Sequence, residues 1–148
     1  MYFIDRDKME ALLQFMETQF ADLKGFSSWQ STIQIRALER MTQLIIESFL
    51  DVGNQLIDGF IMRDPGSYED IVDILVDESV LPLEEKEAYL KLVQLRKQLV
   101  QQYEELSSDT LKEQLQAHLS TWSTFPKQVR GYVESELGPV SAFKPASK

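Results

Sequence analysis

An all-α fold, an antiparallel helical bundle of five to six helices built around one very long second helix, is what this 148-residue sequence predicts. Three observations carry that expectation. Apolar residues recur with a 3.6-residue period along most of the chain, and few segments alternate apolar with polar. Glycine and proline are sparse, at six and five, and they cluster where helices would join. Apolar residues make up 43% of the chain and charged residues 26%, a balance that can bury a core and argues against disorder. One domain is expected over residues 1–138, followed by a tail over residues 139–148.

Asp5 is suited to cap a first helix reaching about residue 24, with Met9, Leu12, Leu13, Met16 and Phe20 on one face. Gly25 stops it. A second helix is expected over about residues 28–63, far beyond the roughly 11-residue average. The turn Asp64-Pro65-Gly66 ends it, and Ser67-Tyr68-Glu69-Asp70 resembles a capping box for a short third helix to about residue 77. Pro82 fits the first turn of a fourth helix, whose start carries Glu84, Glu85 and Glu87, read as a solvated helix start, and which reaches about residue 105. Ser107-Ser108-Asp109 caps a fifth from about Thr110. Pro126 either kinks that helix or divides it, and Gly138-Pro139 closes it.

Composition narrows the chemistry. The chain has no cysteine, which removes disulfides and thiolate metal sites and fits a reducing compartment. Its amino terminus lacks the layout of a secretory signal, and no apolar run approaches the roughly 20 residues that span a bilayer. A cytoplasmic protein with no membrane association, no metal and no cofactor is expected. The net charge of −9 opposes broad contact with nucleic acid. Between Ala88 and Tyr103, however, the only charges are Lys91, Arg96 and Lys97, a locally basic helix in an acidic chain.

Two helical faces stand out. On the fourth helix, Tyr89, Leu92, Val93, Arg96, Leu99, Val100 and Tyr103 share one stripe, which sets Arg96 among apolar neighbours at ±3 and ±4. A buried cation needs a partner. On the second helix, Glu47, Asp51 and Asn54 form a polar line, read as facing inward with Glu47 or Asp51 pairing Arg96; a solvated line or a purely structural pair is the plainer reading. Elsewhere the chemistry is thin. The single histidine, His118, reads as a surface or boundary residue, Trp29 and Trp122 read as core or interface anchors, and no phosphate loop or zinc spacing occurs.

The segment Arg96-Lys97-Gln98-Leu99-Val100-Gln101-Gln102-Tyr103 resembles the signature of the HepT-like family, Arg, four residues, His, one residue, Tyr. The segment from Glu47 to Asn54 is similar to that family's long-helix pattern. Asp51-Val52-Gly53-Asn54 and the stretch from Gly59 to Tyr68 resemble its YutE-type branch, so that the likeness covers nearly the whole chain. It implies a bundle of the HEPN superfamily, a homodimer, and kinship with metal-independent endoribonuclease toxins. In that family Arg neutralises the scissile phosphate, His moves protons, and Tyr is adenylylated by a nucleotidyltransferase antitoxin of the MntA kind. The resemblance thus makes Arg96, Gln101 and Tyr103 the catalytic set, supported by Glu47, Asp51, Asn54 and Lys97, with Tyr103 as the modification site. Gln101 stands where the family has His, and Lys97 where it often has Asn. Glutamine does not titrate near neutral pH, so cleavage of RNA is expected to be weak or lost. The alternative is a non-catalytic dimeric module that binds RNA, a nucleotide or another protein.

Overall fold

The computed structural model describes residues 3–25 and 28–138, so the expected tail over 139–148 lies outside the described residues. These form six α-helices, one 3-10 turn and no strand: α1 (Arg6–Gly25), α2 (Thr32–Gly59), α3 (Tyr68–Asp77), the 3-10 turn Leu83–Glu85, α4 (Lys86–Val100), α5 (Ser108–Trp122) and α6 (Phe125–Leu137). Local chemistry sets most of these ends. Asp5 Oδ1 accepts from the Lys8 amide at 3.0 Å, and Ser67 Oγ accepts from the Asp70 amide at 3.0 Å.

The second helix is the longest, at 28 residues, but it is shorter than the expected span of about 28–63. At its start, Ser31 and Gln34 make a reciprocal capping box, each accepting a hydrogen bond from the other's backbone amide. At its end, Ile61 takes a left-handed conformation (φ 57°) and the Met62 amide donates back to the Ile57 carbonyl at 2.9 Å. The fourth helix also stops early, at Val100 instead of about residue 105. The amides of Gln101 and Gln102 both donate to the Lys97 carbonyl, at 2.8 and 3.0 Å, and the chain turns away. The polar run that follows has little to bury, and Glu104 and Glu105 would oppose the negative end of a longer helix dipole. Pro126 divides the last helical stretch in two, sitting in the first turn of α6 where its missing N–H costs nothing.

The helices run antiparallel where they pack. The Phe3 amide donates to the Gly59 carbonyl at 3.0 Å, which puts the end of α2 beside the start of α1. Arg130 on α6 binds Glu10 and Glu17 on α1 through both edges of its guanidinium, while Arg6 Nη1 reaches the Gly138 carbonyl at 3.3 Å. At the centre, Phe49 of α2, Tyr89 of α4 and Phe125 of α6 touch as rings, with centroids 4.7 to 5.9 Å apart. Trp122 is fully buried and donates its indole N–H to the Ala88 carbonyl at 2.8 Å. Burial pushes the Tyr89 phenol up in pKa, so it stays neutral and hydrogen-bonds the Thr121 carbonyl.

Two glycines predict opposite outcomes. A Cβ at Gly59 would collide with Ile4 Cδ1 and lie 2.5 Å from the Phe3 carbonyl oxygen, whereas a Cβ at Gly131, exposed within α6, meets nothing within 4 Å. In urea unfolding, Gly59→Ala should cost about 1–3 kcal/mol, and Gly131→Ala should add about 0.5–1 kcal/mol. The Arg130 clamp predicts a pH dependence. Hydrogen bonds from Arg130 hold the Glu10 and Glu17 carboxyls below their usual range. Carboxyls depressed in the folded state stabilise it above their unfolded pKa, near 4.3, and lose that contribution as pH falls through the lower folded values. Arg130→Met should therefore be less stable than wild type by about 1 kcal/mol at neutral pH, the pairs being part-exposed. The gap should close in urea titrations near pH 2.

Candidate functional site

The aromatic junction between α2 and α4 brings Glu47 and Arg96 together. Arg96 Nε donates to Glu47 Oε2 at 2.7 Å, with the two side chains 23% and 38% exposed. The guanidinium carbon lies 4.7 Å from the centroid of the Tyr68 ring, at the first residue of α3. The hydrogen bond that Arg96 donates to the Glu47 carboxylate raises the Arg96 pKa further above its already high value. Arg96 is thus held at Nε and across one face, while its Nη1 and Nη2 groups make no hydrogen bond within the described residues. They keep donors available to a ligand.

The setting is a shallow open depression of about 220 Å³, lined by Tyr68, Glu69, Gln94, Arg96, Lys97 and Gln101 around Val93. Tyr68 is delivered to it by a tight clamp. Asp70 accepts both Nη groups of Arg63, at 2.7 and 2.9 Å, and also the Gly66 amide at 2.9 Å. Its carboxyl is lowered in pKa, first by the Arg63 hydrogen bonds and then by that amide. The Asp64-Pro65-Gly66 turn is therefore fastened to the first turn of α3.

The structure distributes the expected site residues unevenly. Glu47 pairs with Arg96, but Asp51 and Asn54 are exposed and outside the depression, so the polar line does not turn inward as a whole. Arg96 lies at the margin of the buried face of α4, not at its middle. Leu95 is buried there together with Ala88, Tyr89, Leu92 and Val93, while Leu99 and Val100 are half-buried. Lys97 is exposed and lines the depression. Gln101 caps α4 and lines it too, whereas Tyr103 lies past the helix end in a turn, 71% exposed and not in the lining. His118 lies against Trp122, with ring centroids 5.5 Å apart, and is not in the lining either. Glu84 and Glu87 are exposed as expected, but Glu85 is half-buried and accepts from Gln128 Nε2 at 3.0 Å. Among the described residues, no group of three His, Asp or Glu is placed to hold a metal ion, and no helix is long and apolar enough to cross a membrane.

Sequence reasoning missed Tyr68. It sits 28 residues before Arg96 on a different helix, and neither helical spacing nor a local motif connects the two.

Comparison with known proteins places the chain by family and by fold. The family model described as Ribonuclease HepT-like matches residues 7–129. YutE of Bacillus subtilis, a protein named as a candidate RNase, is 53% identical over 144 residues, covering 97% of this chain and all of its own length. A solved structure of YutE from Bacillus subtilis, described as a cytosolic protein of unknown function, superposes with a TM-score of 0.92 at 52% identity. It covers 97% of this chain and all of its own. A Shewanella oneidensis HEPN toxin, tri-AMPylated and in complex with an MNT antitoxin, shares the fold at a TM-score of 0.70 and 20% identity, over 84% of this chain and 95% of its own.

Because Glu47 and Arg96 are both part-exposed, their pair should matter little to stability. Glu47→Ala should lower the unfolding free energy by less than about 1 kcal/mol in urea denaturation. A loss above about 3 kcal/mol would identify the pair as a structural element of the core.

Proposed function

Since the chain belongs to the HepT-like ribonuclease family, we propose that it binds single phosphodiesters of RNA at Arg96 and cleaves them slowly, without a metal ion. The observation that carries this reading is the half-satisfied guanidinium. Glu47 and Tyr68 fix its plane and leave Nη1 and Nη2 as a two-pronged donor beside an open depression. A planar fork of two N–H groups matches the two non-bridging oxygens of a phosphodiester.

Cleavage by the neighbouring 2′-hydroxyl forms an O2′–P bond and breaks the P–O5′ bond, giving a cyclic phosphate and a free 5′-hydroxyl. Negative charge builds on the phosphoryl oxygens as the attack proceeds, and Arg96 is placed to stabilise it. The proton of the attacking hydroxyl must leave, and the departing oxygen must gain one. Gln101 at the rim can hydrogen-bond either group, but it cannot exchange a proton near neutral pH. Water then carries both transfers, and the rate falls by the roughly 10²–10⁴-fold that a positioned acid–base group supplies. Gln101 equally favours the second reading, a module that binds RNA and does not cut it.

We also read the protein as a homodimer, as the family resemblance implies, and as partnered by an antitoxin of the MNT kind, like the one in complex with the HEPN toxin of the same fold. Exposure of Tyr103 supports its modification there.

The test is cleavage of a fluorescent RNA in the presence of a chelator. Wild type should cut weakly, Arg96→Ala should fall to the background set by trace ribonucleases, and Gln101→His should gain at least about tenfold. Equal activity in wild type and Arg96→Ala would refute the catalytic reading. Activity confined to Gln101→His would favour the binding module.

A further inference from the structure

We propose that Tyr68 is a base-stacking residue of this site, and that the site therefore takes single-stranded RNA. The proposal rests on the phosphodiester reading of Arg96 and names the substrate form that fits it.

The first observation is exposure. Tyr68 keeps 46% of its surface open, although it is an aromatic residue at the start of a helix, next to a guanidinium. Arg96 covers one face of the ring at 4.7 Å, and the rest of Tyr68 lines the same depression as Gln94, Lys97 and Gln101. The second observation is rigidity. Asp70 accepts both Nη groups of Arg63, the Gly66 amide donates to the same carboxylate, and Ser67 caps the helix through the Asp70 amide. Four contacts hold a surface turn whose protruding aromatic side chain is Tyr68. A ring held open in one place loses little entropy when a planar ligand lies against it.

The third observation is the chemistry around the ring. A phosphate donor fork, the Lys97 ammonium and two side-chain amides, Gln94 and Gln101, surround one aromatic surface. Phosphate, ribose hydroxyls and a base edge could each find a matching group there. Proteins that hold single strands combine cationic contacts to the backbone with aromatic side chains under the bases. Bases in a duplex are already stacked and paired, and a side chain on a shallow surface cannot reach their faces. Glu69 also lines the depression, and its negative charge limits the length of backbone that can lie there. The geometry suits one or two nucleotides, not a long strand.

The experiment uses the full-length protein and a short 2′-O-methyl oligoribonucleotide, which binds but lacks the attacking hydroxyl. Affinities are measured by fluorescence anisotropy for this strand, for its duplex and for the same backbone without bases. Wild type should prefer the single strand to the duplex. Tyr68→Leu should lose about tenfold in affinity for the single strand and clearly less for the baseless backbone, which registers only the loosened Arg96, whereas Tyr68→Phe should keep most of the wild-type affinity. Equal losses by Tyr68→Leu on both strands would overturn the proposal, because the ring would then serve only to hold Arg96. Loss in Tyr68→Phe as large as in Tyr68→Leu would overturn it too, placing the effect in the hydroxyl. If Arg96→Ala abolishes binding while Tyr68→Leu leaves it unchanged, stacking is wrong and the phosphodiester reading stands. If wild type binds none of the three strands, both are wrong.

Discussion

The contact of three buried rings, Phe49, Tyr89 and Phe125, is the constraint on which the rest of the structure depends. It locks α2, α4 and α6 in one register, and Trp122 adds a hydrogen bond from the end of α5 to the Ala88 carbonyl on α4. Glu47 lies two residues before Phe49 on α2, and Arg96 lies two turns beyond Tyr89 on α4. Once the rings meet, the two charged side chains have little choice but to meet as well. The hydrophobic effect therefore positions the pair, and the pair contributes little to stability in return. Among the described residues, such a division leaves Arg96 with spare donors that a fully buried arginine would have had to satisfy internally. Arg130 makes the contrast: both edges of its guanidinium are taken by Glu10 and Glu17, and it ties two helices without offering a donor fork to a ligand.

Electrostatics then decide where an anion can approach. A chain of net charge −9 repels a polyanion over most of its surface. On α4 the charges between Ala88 and Tyr103 are Lys91, Arg96 and Lys97, with no carboxylate among them, and Arg96 and Lys97 line the depression together. An acidic molecule with a locally basic depression discriminates by place: it admits a short strand there and repels the flanking phosphates elsewhere. Binding should accordingly weaken with salt by the small number of phosphates neutralised, not by the many of a general RNA binder.

Much of this was legible in the sequence, and the parts that were not have physical causes. Asp5, Ser67 and Pro126 act where their local chemistry placed them, because capping and proline geometry involve only a few neighbouring residues. The need of Arg96 for a carboxylate followed from its apolar neighbours, and the α2 spacing offered Glu47 or Asp51, of which Glu47 makes the pair. The ends of α2 and α4 were set too far along. Ile61 adopts a left-handed conformation that a β-branched residue seldom takes, and α4 ends at Gln101 because the polar run beyond it has little to bury and ends in two glutamates that oppose the helix dipole. The stripe on α4 was centred one step away, so Leu95 was overlooked and Arg96 placed too deep. Tyr68 could not be found at all, since its meeting with Arg96 is a product of how α3 docks.

In the proposed function, Arg96, held by Glu47 and Tyr68, presents its remaining donors to an RNA phosphodiester. The most direct measurement is an NMR titration of the arginine Nε–Hε resonances with a short 2′-O-methyl RNA. The Arg96 signal should shift progressively and saturably while that of Arg130, already engaged by Glu10 and Glu17, stays in place. An Arg96 signal that does not move at concentrations where the RNA binds, or equal movement of both arginines, would contradict it.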